Sequence, residues 1–113
     1  PLVTDSTWAD ISANEVDDTV YTDYAPIAVP TRAVNTTGST TYIDSGAAVF
    51  GPTVTIQARW LVCLRTATAA TVTGTDELIF WIDLNDQGAV VESNSSDFTL
   101  NPPANGWFSI AQA

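Results

Sequence analysis

The sequence predicts an all-β fold, a single antiparallel β-sandwich of jelly-roll-like type with an irregular, extended N-terminal segment. In the second half of the chain, apolar and polar residues alternate with a period of two. Short strand-like runs also recur about every ten residues, with Gly, Asn, Asp and Ser turns between them. We therefore expect one domain, in which residues 1–39 form an extended N-terminal segment or arm and residues 40–113 form the sandwich.

The first part of the chain has weak patterns. No helical period in residues 1–39 lasts beyond a turn, and residues 17–24 alternate loosely enough for one short strand. Residues 25–31 are expected to be an extended connection, because their two prolines bias the preceding residues to extended conformations. Residues 35–39 form a turn cluster, and residues 40–44 are expected to form a strand.

The clearest strands are predicted at residues 54–65 and 77–84. Their even-numbered residues are apolar, whereas the odd-numbered residues at their ends are polar or charged, so one face of each strand is expected to pack in the core. Shorter strands are predicted at 89–92, 97–101 and 107–111, separated by turn residues.

The two clear strands suggest an antiparallel register in which Arg65 faces Glu77 and Arg59 faces Asp83. Opposed unlike charges contribute about 0.2–1 kcal/mol each. The same register sets large apolar residues opposite one another and places Trp60 on the core face, and a slip of one residue would set core against solvent-facing side chains. We therefore expect these four charged residues to form structural cross-strand pairs.

This register also leaves an apolar strip on the outer face of the strand pair. Four apolar side chains in the middle of a solvent-facing surface need a cover, either from the N-terminal segment or from another chain. The candidate protein-interface residues are Leu61, Cys63, Ile79 and Trp81.

The charge of the chain limits its partners. Three arginines face thirteen acidic residues, without any lysine or histidine, for a net charge of -10. This balance repels phosphate backbones and anionic lipids, so we expect neither nucleic acid nor membrane as a partner. A basic protein surface remains a suitable partner.

The residue types argue against an enzyme or a cofactor site. There is no histidine to act as a general base or to activate Cys63, which is expected to be a small buried apolar residue. Residues 83–88 resemble the start of a calcium loop, but Gln87 and Asn94 stand at its fifth and twelfth positions, so a hairpin turn is the preferred interpretation. We expect no catalytic residue, metal or cofactor.

Residues 40–111 contain four characteristic runs: an alternating strand (52–64), Asp-Glu-Leu-Ile-Phe-Trp-Ile-Asp (76–83), Phe-Thr-Leu (98–100) and Asn-Gly-Trp-Phe (105–108). In these runs the second half of the chain resembles a group of small structural proteins of tailed phages. The resemblance implies a capsid decoration (cement) protein, which binds the capsid exterior and bridges neighbouring major capsid proteins.

What the resemblance implies about partners follows from that role. The partners would be the major capsid protein and neighbouring copies of the chain itself, as a homotrimer around a threefold axis or as a monomer. The protein would be made in the host cytoplasm and would end on the capsid exterior of the virion. With the outer strip as the anchor, Trp81→Ala is expected to weaken attachment more than neutralising any acid would.

Two other classes of function remain open. A carbohydrate-binding or receptor-binding β-sandwich module of a virion appendage or extracellular protein would use exposed aromatic residues, of which Trp81 and Trp107 are the candidates. A small hydrolase would need two converging carboxylates, one with a raised pKa. The fold class alone does not separate these functions.

Overall fold

The computed structural model describes residues 1–16, 23–85 and 87–111. It is mostly β, as the alternation predicted, and it contains several antiparallel sheets and one short α-helix. The strand expected within residues 17–24 lies largely outside the described residues. The elements are α1 (Trp8–Ile11), a 3-10 helix (Ser12–Asn14), β1 (Ala33–Thr37), β2 (Thr40–Asp44), β3 (Ala48–Phe50), β4 (Ile56–Ala58), β5 (Trp60–Arg65), β6 (Glu77–Asp83), β7 (Val91–Ser93), β8 (Phe98–Leu100) and β9 (Phe108–Ala111).

Contacts divide the chain into two compact units. Unit 1 consists of Pro1–Pro26 and Phe50–Phe98, and unit 2 consists of Ile27–Val49 and Thr99–Ala113. Each unit therefore takes residues from both sides of the boundary expected at residue 39. The chain passes from one unit to the other after Pro26, within β3 and within β8.

Unit 1 holds two two-stranded ladders and the described buried apolar residues. β4 pairs with β7, and β5 pairs with β6, both antiparallel. The buried apolar side chains are Ile11, Val54, Ile56 and Phe98. Phe98 contacts Phe50 at a ring-centroid distance of 6.3 Å, and the Phe50 ring stacks on Tyr24 at 6.1 Å.

The long strand predicted at residues 54–65 is divided in two at Arg59. Val54 and Ile56 are buried, as the alternation predicted, and Ile56–Ala58 pairs with β7. At Arg59 the chain bends, its carbonyl accepts a hydrogen bond from the Leu84 amide at 2.8 Å, and the chain then enters the ladder with β6. The change of partner interrupts the alternation, and Trp60, predicted to lie in the core, is 38% exposed.

The start of the chain is attached to the segment before β6. The Trp8 and Ala9 amides donate to the Asp76 and Gly74 carbonyls at 2.8 and 3.0 Å, and the Leu78 amide donates to the Ser6 carbonyl at 2.9 Å. Thr7 caps helix α1, and the Asp10 carboxylate accepts the Thr7 amide at 2.9 Å, which gives the one-turn helix its ordered start. The two described helices have four and three residues, too few to cross a membrane.

Unit 2 contains one three-stranded sheet in the order β1-β2-β9. The β1–β2 hairpin closes through Gly38, whose φ of 61° suits the first position of a two-residue turn. β2 has the bounds predicted from the sequence, and β9 pairs with its other edge. Just before β9 in the chain, the Trp107 indole N–H donates to the hydroxyl of buried Ser45 at 2.8 Å.

Candidate interaction surface

The ribbon formed by β5 and β6 contains seven of the eight residues predicted as interface or ion-pair residues. The eighth, Arg59, lies in the bend just before β5. The register of the ribbon agrees with the prediction at one end, where Leu64 pairs with Leu78 and Arg65 pairs with Glu77. Beyond that point the register is shifted by one residue, because Ile79 is an extra residue on β6 between Leu78 and Phe80. Such a β-bulge sets two residues of one strand against one of the other.

The bulge changes which side chains share a face. Cys63 now pairs with Phe80, and Leu61 pairs with Ile82, whereas Trp81 pairs with Val62. Directly paired residues point to the same face and successive residues along β5 alternate, so Leu61 and Cys63 lie on one face and Trp81 lies on the other. The single outer strip predicted from the sequence was therefore wrong as a geometric unit.

The four residues of that strip also differ in exposure. Ile79, at the bulge, is 52% exposed, whereas Leu61, Cys63 and Trp81 are half-buried. Burial raises the pKa of the Cys63 thiol, which holds it in the neutral form near neutral pH. Of the predicted strip, Ile79 is thus the residue with most surface free to contact another molecule.

Both predicted ion pairs are present, in different settings. Arg65 and Glu77 are register partners, with Nη1 and Oε2 2.8 Å apart and both side chains more than half exposed. Arg59 contacts Asp83 from outside the ladder through Nε and Nη2, at 3.2 and 2.9 Å from the same carboxylate oxygen. The guanidinium of Arg59 also lies 5.1 Å from the ring centre of Trp60, at cation–π distance.

The segment after β6 is a turn, as expected from the sequence, in which the Gly88 amide donates to the Asn85 carbonyl at 2.9 Å. It is not the predicted hairpin, because β6 pairs with β5 whereas β7 pairs with β4. The second carboxylate oxygen of Asp83 accepts the Asn85 amide at 3.1 Å, and the Asn85 side-chain oxygen accepts the Gln87 amide at 3.0 Å. The hydrogen bonds from Arg59 and from the Asn85 amide lower the pKa of Asp83. Among residues 1–16, 23–85 and 87–111, no three acidic or cysteine side chains gather as metal ligands would.

Two open cavities on the described surface offer little to a sugar. One, of about 480 Å³, is lined by residues 12, 13, 15, 16 and 24–26, and the other, of about 460 Å³, by residues 55–57 and 92–94. Among the described residues, Tyr24 is the one aromatic residue that lines either of them, and its hydroxyl donates to Glu15 at 3.3 Å. The stacking candidates Trp81 and Trp107 line neither cavity, and both are half-buried.

A surface that sequence reasoning missed lies on the three-stranded sheet of unit 2. The register sets Val34 opposite Ile43 and Ile43 opposite Phe108, and Ile110 follows Phe108 on the same face. Val34 is 68% exposed, Ile110 64% and Phe108 39%. Alternation in residues 33–37 and 107–111 could have indicated both strands. The first strand was missed because residues 35–39 were predicted to form a turn, whereas residues 35–37 belong to β1.

No protein-family model, no curated protein and no solved structure matches the chain significantly.

Proposed function

We propose that this chain is a structural virion protein that binds the outside of a phage capsid and stabilises contacts between major capsid proteins. The observation that carries the proposal is the amount of apolar surface left open. In the described part of the chain, ten large apolar side chains are at least 38% exposed, on five different strands and on the segments between them. Three of them, Val34, Phe108 and Ile110, lie on one face of the β1-β2-β9 sheet, and contiguous exposed apolar surface in a small protein marks a site of contact with another protein.

The charge of the chain supports binding to a basic or neutral protein surface. The net charge of -10 favours encounter with a basic face of a capsid protein and opposes binding to packaged nucleic acid. It would also keep neighbouring virions apart. The resemblance of residues 40–111 to small structural proteins of tailed phages points the same way, and a single jelly-roll-like sandwich is the finer fold that accompanies this proposal.

The anchor on the β5–β6 ribbon is proposed to centre on Ile79 and Trp60. Both are exposed, at 52% and 38%, and the Arg59 guanidinium lies over the Trp60 ring, which limits the freedom of that side chain. Anchors that are already ordered lose less conformational entropy on binding than mobile side chains do. Leu61, Cys63 and Trp81 then support the anchor from within the ribbon.

Under this proposal the chain is not an enzyme and carries no cofactor. Its partners are the major capsid protein and neighbouring copies of the chain, and its place is the exterior of the virion. Many copies, each bridging a seam between capsid subunits, would raise the barrier to rupture of the shell. A few desolvated anchors in each copy suffice for attachment.

The test is size-exclusion chromatography with light scattering on the purified protein, with and without empty shells of the source phage. Co-migration that saturates at a fixed copy number supports the proposal, and Ile79→Ser should lower the copy number bound. The matched control is Val90→Ser, because Val90 is also in unit 1 and 49% exposed but lies outside the ribbon. A folded protein that does not bind the shells would instead favour the carbohydrate-binding alternative, which a glycan array would then test.

A further inference from the structure

The net charge of the chain is carried entirely by unit 1. Unit 2 contains one arginine and one acidic residue, Arg32 and Asp44, and is therefore neutral. Unit 1 contains the other twelve acidic residues and the other two arginines, so the whole net charge of -10 belongs to it. Two copies of the chain repel each other through unit 1 but not through unit 2.

The neutral unit also carries the exposed sheet face. Its apolar members are Val34 on β1, Ile43 on β2, and Phe108 and Ile110 on β9. The two threonines on the same face, Thr36 and Thr41, bond to each other through their hydroxyls at 3.1 Å. Because these hydroxyls already have a protein partner, covering the face leaves little polar surface unsatisfied.

The described part of unit 2 has no buried apolar side chain of its own. Its buried residues are Ser45 and Gly106, and the strands β1 and β9 are exposed along almost their whole length. A three-stranded sheet normally needs an apolar face covered to be stable. The face that contains Val34 and Ile110 is the one with the apolar residues to be covered.

We propose that a second copy of this chain covers this sheet face, so that the protein self-associates through unit 2. Identical faces meet about a twofold axis, which brings the same neutral, apolar surface to each side. A basic partner would instead be drawn to unit 1, where the acidic residues are. The inference deepens the proposed function by identifying the surface through which copies contact one another, but it requires no capsid.

The charge distribution predicts the sign of the salt dependence. The Debye length falls from about 10 Å at 0.1 M salt to about 3 Å at 1 M, so salt screens the repulsion between the acidic units. Apolar contacts are not screened. Self-association through unit 2 should therefore strengthen with NaCl, whereas an interface held by ion pairs with the acidic unit would weaken.

The experiment is sedimentation velocity of the full chain, without shells, over a concentration series at low and high NaCl. We expect a discrete multiple of the 12.0 kDa chain, favoured by salt. The double variant Val34→Thr/Ile110→Thr keeps β-branched residues in both strands and should raise the dissociation constant about tenfold or more, a difference of about 1.4 kcal/mol. Ile110→Glu, which adds charge to the face, should give monomers.

The matched control is Ile79→Thr, which changes an isoleucine on unit 1 that is also more than half exposed and should leave self-association unchanged. Circular dichroism shows whether each variant keeps the wild-type strand content. A wild-type protein that stays monomeric at every concentration and salt overturns the proposal, as does self-association that Ile79→Thr weakens as much as Val34→Thr/Ile110→Thr does. If the wild type is monomeric and the unit 2 variants no longer bind shells, the face belongs to the capsid contact instead. If the wild type self-associates but does not bind shells, the proposed function alone is rejected.

Discussion

Arg59 and Asp83 form an ion pair of 2.9 Å although the ladder of the ribbon pairs Asp83 with Trp60. The one-residue shift at Ile79 moves Asp83 away from Arg59 in the ladder, and the bend at Arg59 lets its long side chain reach the carboxylate across Trp60. The result is a three-residue cluster at the end of the ribbon, in which the guanidinium contacts both a carboxylate and an aromatic ring. The predicted contact is therefore present on a backbone different from the predicted one.

This cluster gives a pH-dependent prediction. Hydrogen bonds from Arg59 and from the Asn85 amide hold the pKa of Asp83 below its ordinary value of 3.8. A depressed pKa in the folded state means that the carboxylate stabilises the protein above its unfolded pKa of about 4 and that this contribution is lost as the pH falls through the folded value. Arg59→Gln should raise the Asp83 pKa in an NMR titration and flatten the acid limb of stability. An unchanged Asp83 pKa in that variant would contradict the contact.

The second ion pair is expected to contribute little. Arg65 and Glu77 are 75% and 60% exposed in their side chains, so water screens their attraction. A double-mutant cycle with Arg65→Gln and Glu77→Gln, measured by urea unfolding, should give a coupling free energy of about 0.5 kcal/mol or less. A coupling several times larger would show that the pair is more shielded than the structure indicates.

Gly106 is expected to be intolerant of a side chain. Its φ is 72°, and a β-carbon at this position would overlap the Ile43 carbonyl oxygen, which accepts the Trp107 amide at 2.8 Å. Gly106→Ala should therefore cost about 2 kcal/mol or more in free energy of unfolding, since backbone strain and a displaced hydrogen bond act together.

Gly88 provides the control for this substitution. Its φ of 77° is equally left-handed, but a β-carbon there meets nothing within 4 Å. Gly88→Ala should cost only the strain of the left-handed backbone, about 1–2 kcal/mol. Equal losses in the two variants, measured by chemical denaturation, would show that the close approach to Ile43 does not matter.

The buried Ser45 hydroxyl should be important for unit 2. It accepts the Trp107 indole N–H at 2.8 Å and donates to the Gly46 carbonyl at 2.8 Å. Ser45→Ala removes both hydrogen bonds at once and should destabilise the protein by about 1–3 kcal/mol. Trp107→Phe removes one of the two bonds and keeps most of the apolar ring, so a smaller loss is expected. Thermal unfolding of the two variants compares these costs.

The N-terminal turn predicts a pattern of amide protection. The amides of Trp8, Ala9 and Leu78 bond across to carbonyls of the other segment, so they should exchange more slowly with solvent than the amides of the exposed residues Val3 and Thr4. The Asp10 carboxylate accepts the Ser6 and Thr7 amides, which lower its pKa. Asp10→Ala should speed exchange at Trp8 and Ala9. Free exchange at Trp8 in the wild type would mean that the segment is detached in solution.

Much of the strand content could be predicted from the sequence because alternation is a local property. The alternation in residues 54–65 and 77–84 and the turn residues between strands predicted the positions of β4 to β6, and residues 40–44 predicted β2. The unlike charges at the ends of the ribbon predicted both ion pairs. Composition alone excluded a site that depends on histidine.

The arrangement of faces depended on the tertiary structure. The extra residue at Ile79 and the bend at Arg59 arise from the partner that each segment pairs with, and a shift of one residue exchanges the two faces of a strand. That is why Trp60 is exposed and why the predicted strip does not lie on one face. The apolar face of unit 2 likewise exists only because β9, distant in sequence, pairs with β2 and brings Ile110 and Val34 onto one side of a sheet.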